Sequence, residues 1–400
     1  MATVTDLWHV SRTKKADAAP CTEHSGKTLL YASPNHGKGR RWQVRYRDLN
    51  NAQKKQSYAR KAFADARASE VENELLSGSY VDPSDKKITF KAYAEQWRDR
   101  QPHRPGTAKD VEQSLRCYAY PVFGSRRLGS IRPSEIEAWT TGMVKTQGLA
   151  PSTARKNFQK VKAVFNAAAR DGTIPRSPCA GVRTAEVPHT EVVPLTGGEV
   201  IGLADAMPER YRAMVVLAAG SGLRPGELFG LQVRHVNFLR RTVRVEQQLQ
   251  QTTGSGVYVC PPKTKRSFRT VPLSQSVLDA VAAHLAAFPS AGPDDFLFRM
   301  QQGGPIIRTS FYGPVWTVAV EKAGLPTGTR MHALRHTYAS LLIRHGRGPK
   351  TVADRLGDTV DVAMRTYAHL FPDEDEDTRD AVEDFFASAH TAPRAGRVSL

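Results

Sequence analysis

Apolar and charged residues alternate strictly over one short stretch, residues 41–47, which reads RWQVRYR. Trp42, Val44 and Tyr46 fall on one face, and the opposite face carries Gln43 and three arginines, Arg41, Arg45 and Arg47. Alternation with a period of two predicts a half-buried strand, here with a cationic exposed face. A second basic strand and a helix follow directly along the chain. We therefore expect a small β-sheet backed by one helix over residues 28–80.

The pattern changes to helical spacing after GSYVDPSDKK, where Gly, Pro and Asp cluster. TFKAYAEQWRDR spaces its apolar residues three and four apart, and PSTARKNFQKVKAVFNAAARDG begins at a capping serine and stops at a glycine. Residues 88–185 are therefore expected to be all helical. A proline-rich linker then precedes residues 192–385, where helical segments and the strands TVRVEQQ and RTVPL predict a mixed, mainly helical domain with a small antiparallel sheet.

Residues 1–27 and 386–400 lack such periodicity, and we expect both to be flexible tails. The expected fold class is therefore multidomain α+β, with a sheet-plus-helix domain, an all-helical domain and a mixed domain in that order. A length of 400 residues fits this division, because single cores seldom grow so large.

Positive charge is concentrated in the first half of the chain. The formal net charge is +18, and residues 1–190 hold 33 Lys and Arg against 18 Asp and Glu. This asymmetry favours a polyanion such as DNA as the partner of the first half. The candidate contacts are the three arginines of the alternating strand and four residues on one helix, Arg155, Lys156, Lys160 and Lys162. A basic surface that only keeps the protein soluble is the alternative.

Other features of the sequence exclude several classes of protein. The longest apolar run, AMVVLAAGSGL, is too short for a membrane span, and the first residues lack the pattern of a signal peptide. The four cysteines are scattered without a CxxC pair, which argues against a zinc site or a disulfide framework. We expect a protein of a reducing cytoplasm that needs no metal and no cofactor.

Three stretches of the second half place polar residues where a core does not need them. GLRPGEL holds Arg224 with Glu227 three residues later, an arrangement that suits a bidentate grip on phosphate or merely a structural ion pair. MHALRHTYAS puts His332 and Arg335 on one helical face, either for chemistry or as a polar seam. RLGDTVDVAMRTYAHLFPD presents Tyr367, which taken alone indicates packing more than nucleophilic attack.

The ordered set R…K…HxxR…Y resembles the tyrosine recombinases, also called the phage integrase family. GLRPGEL, PKTKRSFRTVPL, HALRHTYAS and LGD followed by YAHLFPD match the family motifs in order and spacing, and the resemblance covers about residues 28–385. It implies an arm-type DNA-binding domain over residues 28–80, a helical core-binding domain over 88–185 and a catalytic domain over 192–385.

Roles for individual residues follow from the resemblance. It implies that Tyr367 attacks a scissile phosphate, leaving a 3'-phosphotyrosyl link, while Arg224, His332 and Arg335 contact the phosphate. The attack needs cation support and a nearby base, for which His332 and the arginines are the candidates. Residues 261–273, PPKTKRSFRTVPL, are expected to form a lysine-rich hairpin. Lys263 matches the lysine that the family has in this hairpin, with Lys265 as the weaker alternative, and would protonate the leaving 5'-oxygen. Glu227 would orient its arginine, and His336 would support the site or pack beside it.

One position departs from the family pattern. Asp358 stands where the family usually has a histidine or tryptophan that donates a hydrogen bond to the phosphate. A carboxylate there should repel a phosphodiester unless it is protonated, turned away or paired with an arginine. We expect a slower or differently tuned enzyme, with an inactive one as the alternative.

The expected function is site-specific recombination of DNA, as performed by an integrase of a phage or mobile element in a bacterium. The resemblance implies attachment-type sites in double-stranded DNA, four subunits on two duplexes, and excision or DNA-bending proteins as further partners. The rivals are a type IB topoisomerase-like enzyme, which uses the same tyrosine chemistry, and a homologue that binds DNA without cutting it.

Overall fold

The computed structural model describes residues 2–11, 19–24, 29–48, 51–83, 85–188, 191–252, 256–372 and 375–391. The chain divides into two compact units, Met1–Pro188 and His189–Leu400, and each is treated by itself below. Small antiparallel sheets and many helices make the fold multidomain α+β, as the sequence predicts.

The first unit opens with a three-stranded antiparallel sheet. Its strand order is β1-β4-β5, and β2 and β3 form a separate two-stranded ladder. The strands are β1 (Thr3–Asp6), β2 (His9–Val10), β3 (Tyr31–Ala32), β4 (Trp42–Arg47) and β5 (Gln53–Tyr58), and helix α1 (Lys61–Leu76) follows them.

The expectation of a flexible tail over residues 1–27 is wrong for the two strands that lie within it. All four residues of β1 pair with β4, from Thr3 opposite Arg45 to Asp6 opposite Trp42. The two strands are too short to show an alternating pattern in the sequence, and they are stabilised by pairing with strands far along the chain. Residues 12–18 and 25–27 lie outside the described residues.

The alternation in β4 sorts its side chains as predicted at Val44, Arg45, Tyr46 and Arg47, but Gln43, expected on the exposed face, is buried. Val44 and Tyr46 are buried against Ala64 and Val71 of α1, and Arg45 is exposed on the opposite face. Arg47 is exposed as well, and Lys55 of β5 stands directly opposite Arg45. The sheet therefore has one cationic face open to solvent.

The second part of this unit is helical, in line with the sequence. Its helices are α2 (Phe90–Asp99), α3 (Pro105–Ser114), α4 (Tyr120–Phe123), α5 (Pro133–Lys145) and α6 (Pro151–Arg170). The Thr89 side chain caps α2 by accepting a hydrogen bond from the Ala92 amide at 3.2 Å. Phe90, Phe123 and Phe165 are fully buried and form the centre of the helical core.

The second unit contains ten helices and five strands among its described residues. The helices are α7 (Gly197–Ala206), α8 (Glu209–Ser221), α9 (Pro225–Phe229), α10 (Gln275–Ala287), α11 (Arg308–Phe311), α12 (Val318–Lys322), α13 (His332–Arg344), α14 (Pro349–Leu356), α15 (Val360–Tyr367) and α16 (Asp375–Thr391). The strands are β6 (Val236–Asn237), β7 (Thr242–Val245), β8 (Gln248–Thr252), β9 (Gly256–Cys260) and β10 (Arg269–Pro272).

Two expectations about this unit need correction. The lysine-rich segment 261–273 is not a hairpin, because β8 pairs with β9 and β10 instead pairs with β7. The expected flexible tail also begins too early, because α16 continues to Thr391. Residues 392–400 lie outside the described residues. Among the described helices, none is long and apolar enough to cross a membrane.

Two glycines end the helices that surround the candidate site. Gly222 closes α8 with φ +65°, and Gly357 closes α14 with φ +65°. A Cβ atom on Gly222 would lie 2.4 Å from Cδ1 of the Tyr338 side chain, and one on Gly357 would lie 3.0 Å from the carbonyl oxygen of Arg266. Left-handed backbone and close packing therefore both require glycine at these two positions.

Candidate active site

Arg224 is fixed at the start of a short helix. It is the residue before α9, with Pro225 in the first helical position. The Arg224 amide donates to Glu227 Oε2 at 2.9 Å, and the Arg224 Nη1 donates to Glu227 Oε1 at 2.9 Å. The spacing of three residues thus lets one carboxylate hold both the backbone and the guanidinium, as the sequence predicts.

Glu227 lies between two arginines. Its side chain is only 2% exposed, and Arg269 donates to it from Nη2 at 2.9 Å and from Nη1 at 3.2 Å. Burial opposes ionisation, yet the hydrogen bonds and charge of Arg269 outweigh it and lower the pKa of Glu227. Arg269 was missed in the sequence although it belongs to the motif PKTKRSFRTVPL, because nothing there indicates that it reaches Glu227.

Arg335 is buried between two helix ends. Its side chain is 3% exposed; Nη1 donates to the Gly222 carbonyl at 2.8 Å and Nη2 to the Leu356 carbonyl at 2.8 Å. These carbonyls lie at the C-terminal ends of α8 and α14, where unpaired carbonyl groups favour a cation. The fold therefore provides this buried guanidinium with fixed acceptors.

Asp358 bridges the two arginines. Its Oδ1 accepts a hydrogen bond from Arg224 Nη2, and its Oδ2 accepts one from Arg335 Nη2 at 2.6 Å. Of the three possibilities that the sequence left open for this carboxylate, pairing with arginine is the one found, and it involves both arginines. One carboxylate thus presents two oxygens to two guanidiniums, as the non-bridging oxygens of a phosphodiester would.

Tyr367 ends α15, with only 3% of its surface exposed. Its hydroxyl lies 2.8 Å from His336 Nδ1. Burial raises the pKa of Tyr367 to about 12, with Asp358 adding to the rise and Arg335 and Arg224 opposing it. Burial, together with His332 and Arg335, lowers the pKa of His336 to about 4. At neutral pH the phenol is therefore protonated and the imidazole is uncharged, and the phenol donates to Nδ1 when the imidazole carries its proton on Nε2.

His336 thus contacts the candidate nucleophile directly. The sequence predicted only a supporting or packing role for it. Contact across 31 residues of chain cannot be deduced from spacing along one helix. His332 is exposed, with its ring centroid 5.6 Å from that of His336. Desolvation, followed by the charges of Arg335 and Arg224, lowers the pKa of His332. It lies at the open side of the cluster.

Lys263 is exposed in the connection between β9 and β10. It follows the β8–β9 hairpin by three residues and is not part of the hairpin turn. Lys265, the weaker candidate, is also exposed and begins a single helical turn, Lys265–Ser267. The role of the lysine therefore remains a prediction from the resemblance.

The predicted DNA contacts of the first unit differ in their surroundings. Arg45 and Arg47 are exposed on the sheet, whereas Arg41 donates to Asp6 Oδ2 from Nε at 3.0 Å and Nη2 at 2.8 Å and is 18% exposed. A contact between Arg41 and phosphate would therefore compete with this ion pair.

The basic residues of α6 divide in the same way. Arg155 and Lys156 are exposed. Lys160 Nζ lies 2.7 Å from an Asp110 carboxylate oxygen, and Lys162 lies over the Phe158 ring at 5.9 Å. Arg155 and Lys156 are thus the better placed to contact DNA.

The arrangement around Tyr367 is suited to phosphoryl transfer. It combines a hydroxyl that is the candidate nucleophile, an imidazole that could accept its proton and two guanidiniums that could bind an anion. Two family models match the chain: the phage integrase family over residues 195–374 and the phage integrase central domain over residues 90–185.

Relatives and solved structures agree with these matches. The XerC-like tyrosine recombinase of Caldanaerobacter subterraneus subsp. tengcongensis is 26% identical over 358 residues, covering 82% of this chain and 90% of the relative. The integrase of Mycobacterium phage L5 is 26% identical over 350 residues, covering 84% and 89%. The Tn1549 transposon integrase in complex with transposon right end DNA is 26% identical with a TM-score of 0.64, covering 75% of this chain and 100% of that chain.

The fold also resembles that of a lambda integrase tetramer bound to a Holliday junction, at 17% identity and a TM-score of 0.53, covering 83% of this chain and 93% of that chain. The family matches and the relatives define a recombinase, an enzyme that cuts and rejoins DNA strands. The chain belongs to the tyrosine recombinases, the phage integrase family, and is a site-specific integrase.

Proposed function

We propose that this integrase cuts and rejoins double-stranded DNA at attachment-type sites through a covalent 3'-phosphotyrosyl link to Tyr367. The observation that carries the proposal is the convergence of Arg224 and Arg335 on the Asp358 carboxylate. Arg335 and Arg224 also oppose the rise in the pKa of Tyr367, which supports a single site for the anion-binding groups and the nucleophile. A scissile phosphate can take the place of the carboxylate.

The first half of the reaction then proceeds by simple transfer. Tyr367 Oη attacks phosphorus, the bond from phosphorus to the 5'-oxygen breaks, and His336 Nδ1 takes the phenol proton along their existing hydrogen bond. Lys263 gives a proton to the leaving 5'-oxygen. In the second half a 5'-hydroxyl from another strand attacks the phosphotyrosine, and both proton transfers reverse. Because the link preserves the phosphodiester energy, the reaction requires no nucleotide cofactor.

The remaining polar residues serve the developing negative charge. Arg224 and Arg335 stabilise the pentavalent phosphate with paired N–H donors, and His332 contributes from the open side of the site. Glu227 and Arg269 hold Arg224 in position, since removing the carboxylate would leave two guanidiniums without their shared partner.

DNA is gripped by the first unit as well. The exposed face with Arg45, Arg47 and Lys55 suits an arm-type site, and Arg155 and Lys156 on α6 suit the core site. Four subunits on two duplexes, aided by excision and DNA-bending proteins, would complete the reaction. The host is a bacterium, and the DNA lies in its cytoplasm; the relatives from bacteria and their phages support this.

Of the two rivals that the sequence leaves open, neither is favoured by the relatives, which are integrases and recombinases. A DNA-binding homologue without catalysis is tested all the same, because Asp358 is paired with both arginines. No comparable observation favours a topoisomerase of type IB. Capture of a covalent intermediate separates the silent homologue from the integrase.

The test uses a nicked duplex with a recombination site that the protein is first shown to bind. The wild-type protein should form a denaturant-stable adduct with the DNA strand that carries the 3'-phosphate, and Tyr367→Phe should form none. Tyr211→Phe is the matched control, because among the described residues its hydroxyl donates a hydrogen bond to the Met300 sulfur, at 3.8 Å, and to none of the site residues. An adduct that persists in Tyr367→Phe, or no adduct with a bound site, would refute the assignment.

A further inference from the structure

Four side chains with metal-binding atoms meet near the N-terminal sheet, outside the site described above. One ligand atom from each of His9, Cys21, His24 and His36 lies within 4.8 Å of the others. Cys21 Sγ is 3.3 Å from His36 Nε2 and 3.6 Å from His24 Nδ1, and these two nitrogens are 3.4 Å apart. The four residues come from separate parts of the first 36.

The three separations among Cys21, His24 and His36 match the edges of a tetrahedron around zinc, and the His9 nitrogen lies within 4.8 Å of these three atoms. Zinc binds nitrogen at about 2.0–2.1 Å and sulfur at about 2.3 Å, so tetrahedral geometry puts two nitrogens roughly 3.3 Å apart and a nitrogen and sulfur roughly 3.6 Å apart. The three measured separations lie within a few tenths of an ångström of these values. A set of three imidazoles and one thiolate is also a ligand set that zinc prefers.

His9 adds an independent observation. Its side chain is fully buried, and its Nδ1 lies 3.0 Å from Asp6 Oδ2. The other ring nitrogen, Nε2, is buried without a hydrogen-bond partner among the described residues. The rings of His24 and His36 lie 5.0 and 4.9 Å from that of His9. A buried imidazole nitrogen without a partner is costly, and a metal ion at the centre of the cluster would satisfy it.

A carboxylate behind a histidine is the usual outer partner of a zinc ligand. Asp6 takes that position, and Arg41 in turn donates two hydrogen bonds to Asp6 Oδ2. Arg41, which the sequence assigns to DNA, therefore belongs to the support of the cluster.

The backbone around the cluster also fixes the ligands. His9 lies in β2 opposite Ala32 of β3. The Cys21 amide donates to the Leu30 carbonyl at 2.7 Å, and the Ser33 amide to the Trp8 carbonyl at 2.8 Å. The Trp8 ring lies against His24 and His36, at centroid distances of 5.9 and 5.8 Å, and covers one side of the cluster.

We propose that His9, Cys21, His24 and His36 bind one Zn²⁺ ion tetrahedrally, and that this ion fastens β2 and β3 to the N-terminal sheet. Four protein ligands leave no open position, so the site is structural. The need for such a site follows from the small core nearby: its buried hydrophobic residues, among those described, are Val44, Tyr46, Ala64, Ala68, Val71 and Tyr80. Small cores are commonly reinforced by a metal.

The proposal reverses the expectation drawn from the scattered cysteines. A single cysteine with a CxxH spacing and two distant histidines matches no common zinc pattern, and only the fold brings the four together. The sequence does offer one signal of a metal site: three of its twelve histidines lie within the first 36 residues.

The experiment uses the full-length chain with no histidine tag, expressed in medium with zinc and assayed by mass spectrometry for bound metal. We expect one equivalent of zinc per chain. After removal of zinc with a chelator, titration with Co²⁺ should give the visible absorption of a tetrahedral site and a sulfur-to-cobalt charge-transfer band at one equivalent. Less than a tenth of an equivalent of zinc together with no cobalt bands would overturn the proposal.

Variants assign the ligands. Cys21→Ser should lose the charge-transfer band and bind zinc at least tenfold more weakly. His24→Ala should also bind zinc at least tenfold more weakly. Cys117→Ser is the matched control, because Cys117 is an exposed free cysteine away from the cluster, and it should match the wild type. A charge-transfer band that survives in Cys21→Ser contradicts the assignment.

A measurement on the wild type guards against variants that do not fold. Removing zinc should lower the midpoint of thermal unfolding, and added Zn²⁺ but not Mg²⁺ should restore it. An unchanged midpoint after complete removal would mean that the ion does not support the fold.

Discussion

Asp358→Asn should speed up DNA cleavage and lower the thermal stability of the protein without DNA. The substitution keeps the size of the side chain and removes its negative charge from between Arg224 and Arg335. Each arginine retains other partners: Arg224 keeps Glu227 and the Gly357 carbonyl, and Arg335 keeps the carbonyls of Gly222 and Leu356. Both guanidiniums should therefore stay in place.

The magnitude follows from Coulomb's law. When a phosphate displaces the Asp358 carboxylate from the two arginines, the backbone at position 358 keeps that carboxylate beside the phosphate, at about 5 Å, the length of two hydrogen bonds. At an effective dielectric constant of about 20, one unit of developing negative charge is then repelled by about 3 kcal/mol. Removing that repulsion from the transition state predicts a rise in rate of roughly 10²-fold, less whatever the weaker hydrogen bonds of an amide cost.

The assay is single-turnover formation of the covalent adduct on a nicked duplex at saturating protein. Asp361→Asn is the matched control, because Asp361 pairs with Arg365 on the exposed side of α15 and should leave the rate unchanged. Thermal unfolding without DNA provides the second measurement, and Asp358→Asn should lower the midpoint because the buried Arg335 loses its carboxylate partner and Arg224 loses one of two.

Opposite signs for rate and stability are the mark of a carboxylate that occupies the place of the substrate. A slower Asp358→Asn enzyme would mean that the charge is needed to position the arginines. An unchanged rate would mean that the carboxylate moves clear of the phosphate before the chemistry begins.

Three further predictions concern other parts of the molecule. His336→Gln should slow adduct formation by about 10²–10⁴-fold. Because the pKa of His336 is lowered to about 4, its imidazole stays uncharged, and the wild-type rate should stay level, from pH 7 to pH 5. A fall in the rate centred near pH 6.5, the ordinary pKa of histidine, would contradict this. Gly222→Ala should lower the free energy of unfolding in urea by more than Gly346→Ala, because both have a positive φ but only a Cβ at 222 meets another atom within 4 Å; equal losses would exclude the clash with Tyr338. Arg45→Gln should weaken arm-DNA binding and reduce the slope of log K against log salt by about 0.9, whereas Arg41→Gln should leave that slope unchanged; equal slopes in the two variants would contradict the division.

The sequence predicted those parts of the fold that repeat a local pattern. The alternation of β4 gave the buried and exposed faces of the first sheet, and helical spacing gave the all-helical segment. Short strands escaped, because β1 and β2 have four and two residues and depend on partners far along the chain. The N-terminal segment therefore resembled a tail although parts of it are paired.

For the site too, residues in local motifs were predicted and contacts between distant residues were not. Arg224, Glu227, Arg335 and Tyr367 could be named because each lies in a recognisable motif. The bond from His336 to Tyr367, the Arg269 contact with Glu227 and the double pairing of Asp358 join residues 31, 42 and up to 134 positions apart. Such contacts depend on tertiary packing, which a single sequence does not display. The histidine and cysteine cluster was missed for the same reason.

Gly222 and Gly357 bear on how readily this site can be engineered. Their carbonyl oxygens, with that of Leu356, hold Arg335 and Arg224, so these acceptors are backbone atoms that no side-chain substitution can replace. Position 358 is the first residue beyond Gly357, and its side chain projects into the pocket that these acceptors form. Libraries that vary residue 358 alone would thus change the charge and hydrogen bonding beside the two arginines, while the backbone carbonyl groups that position the arginines stay in place.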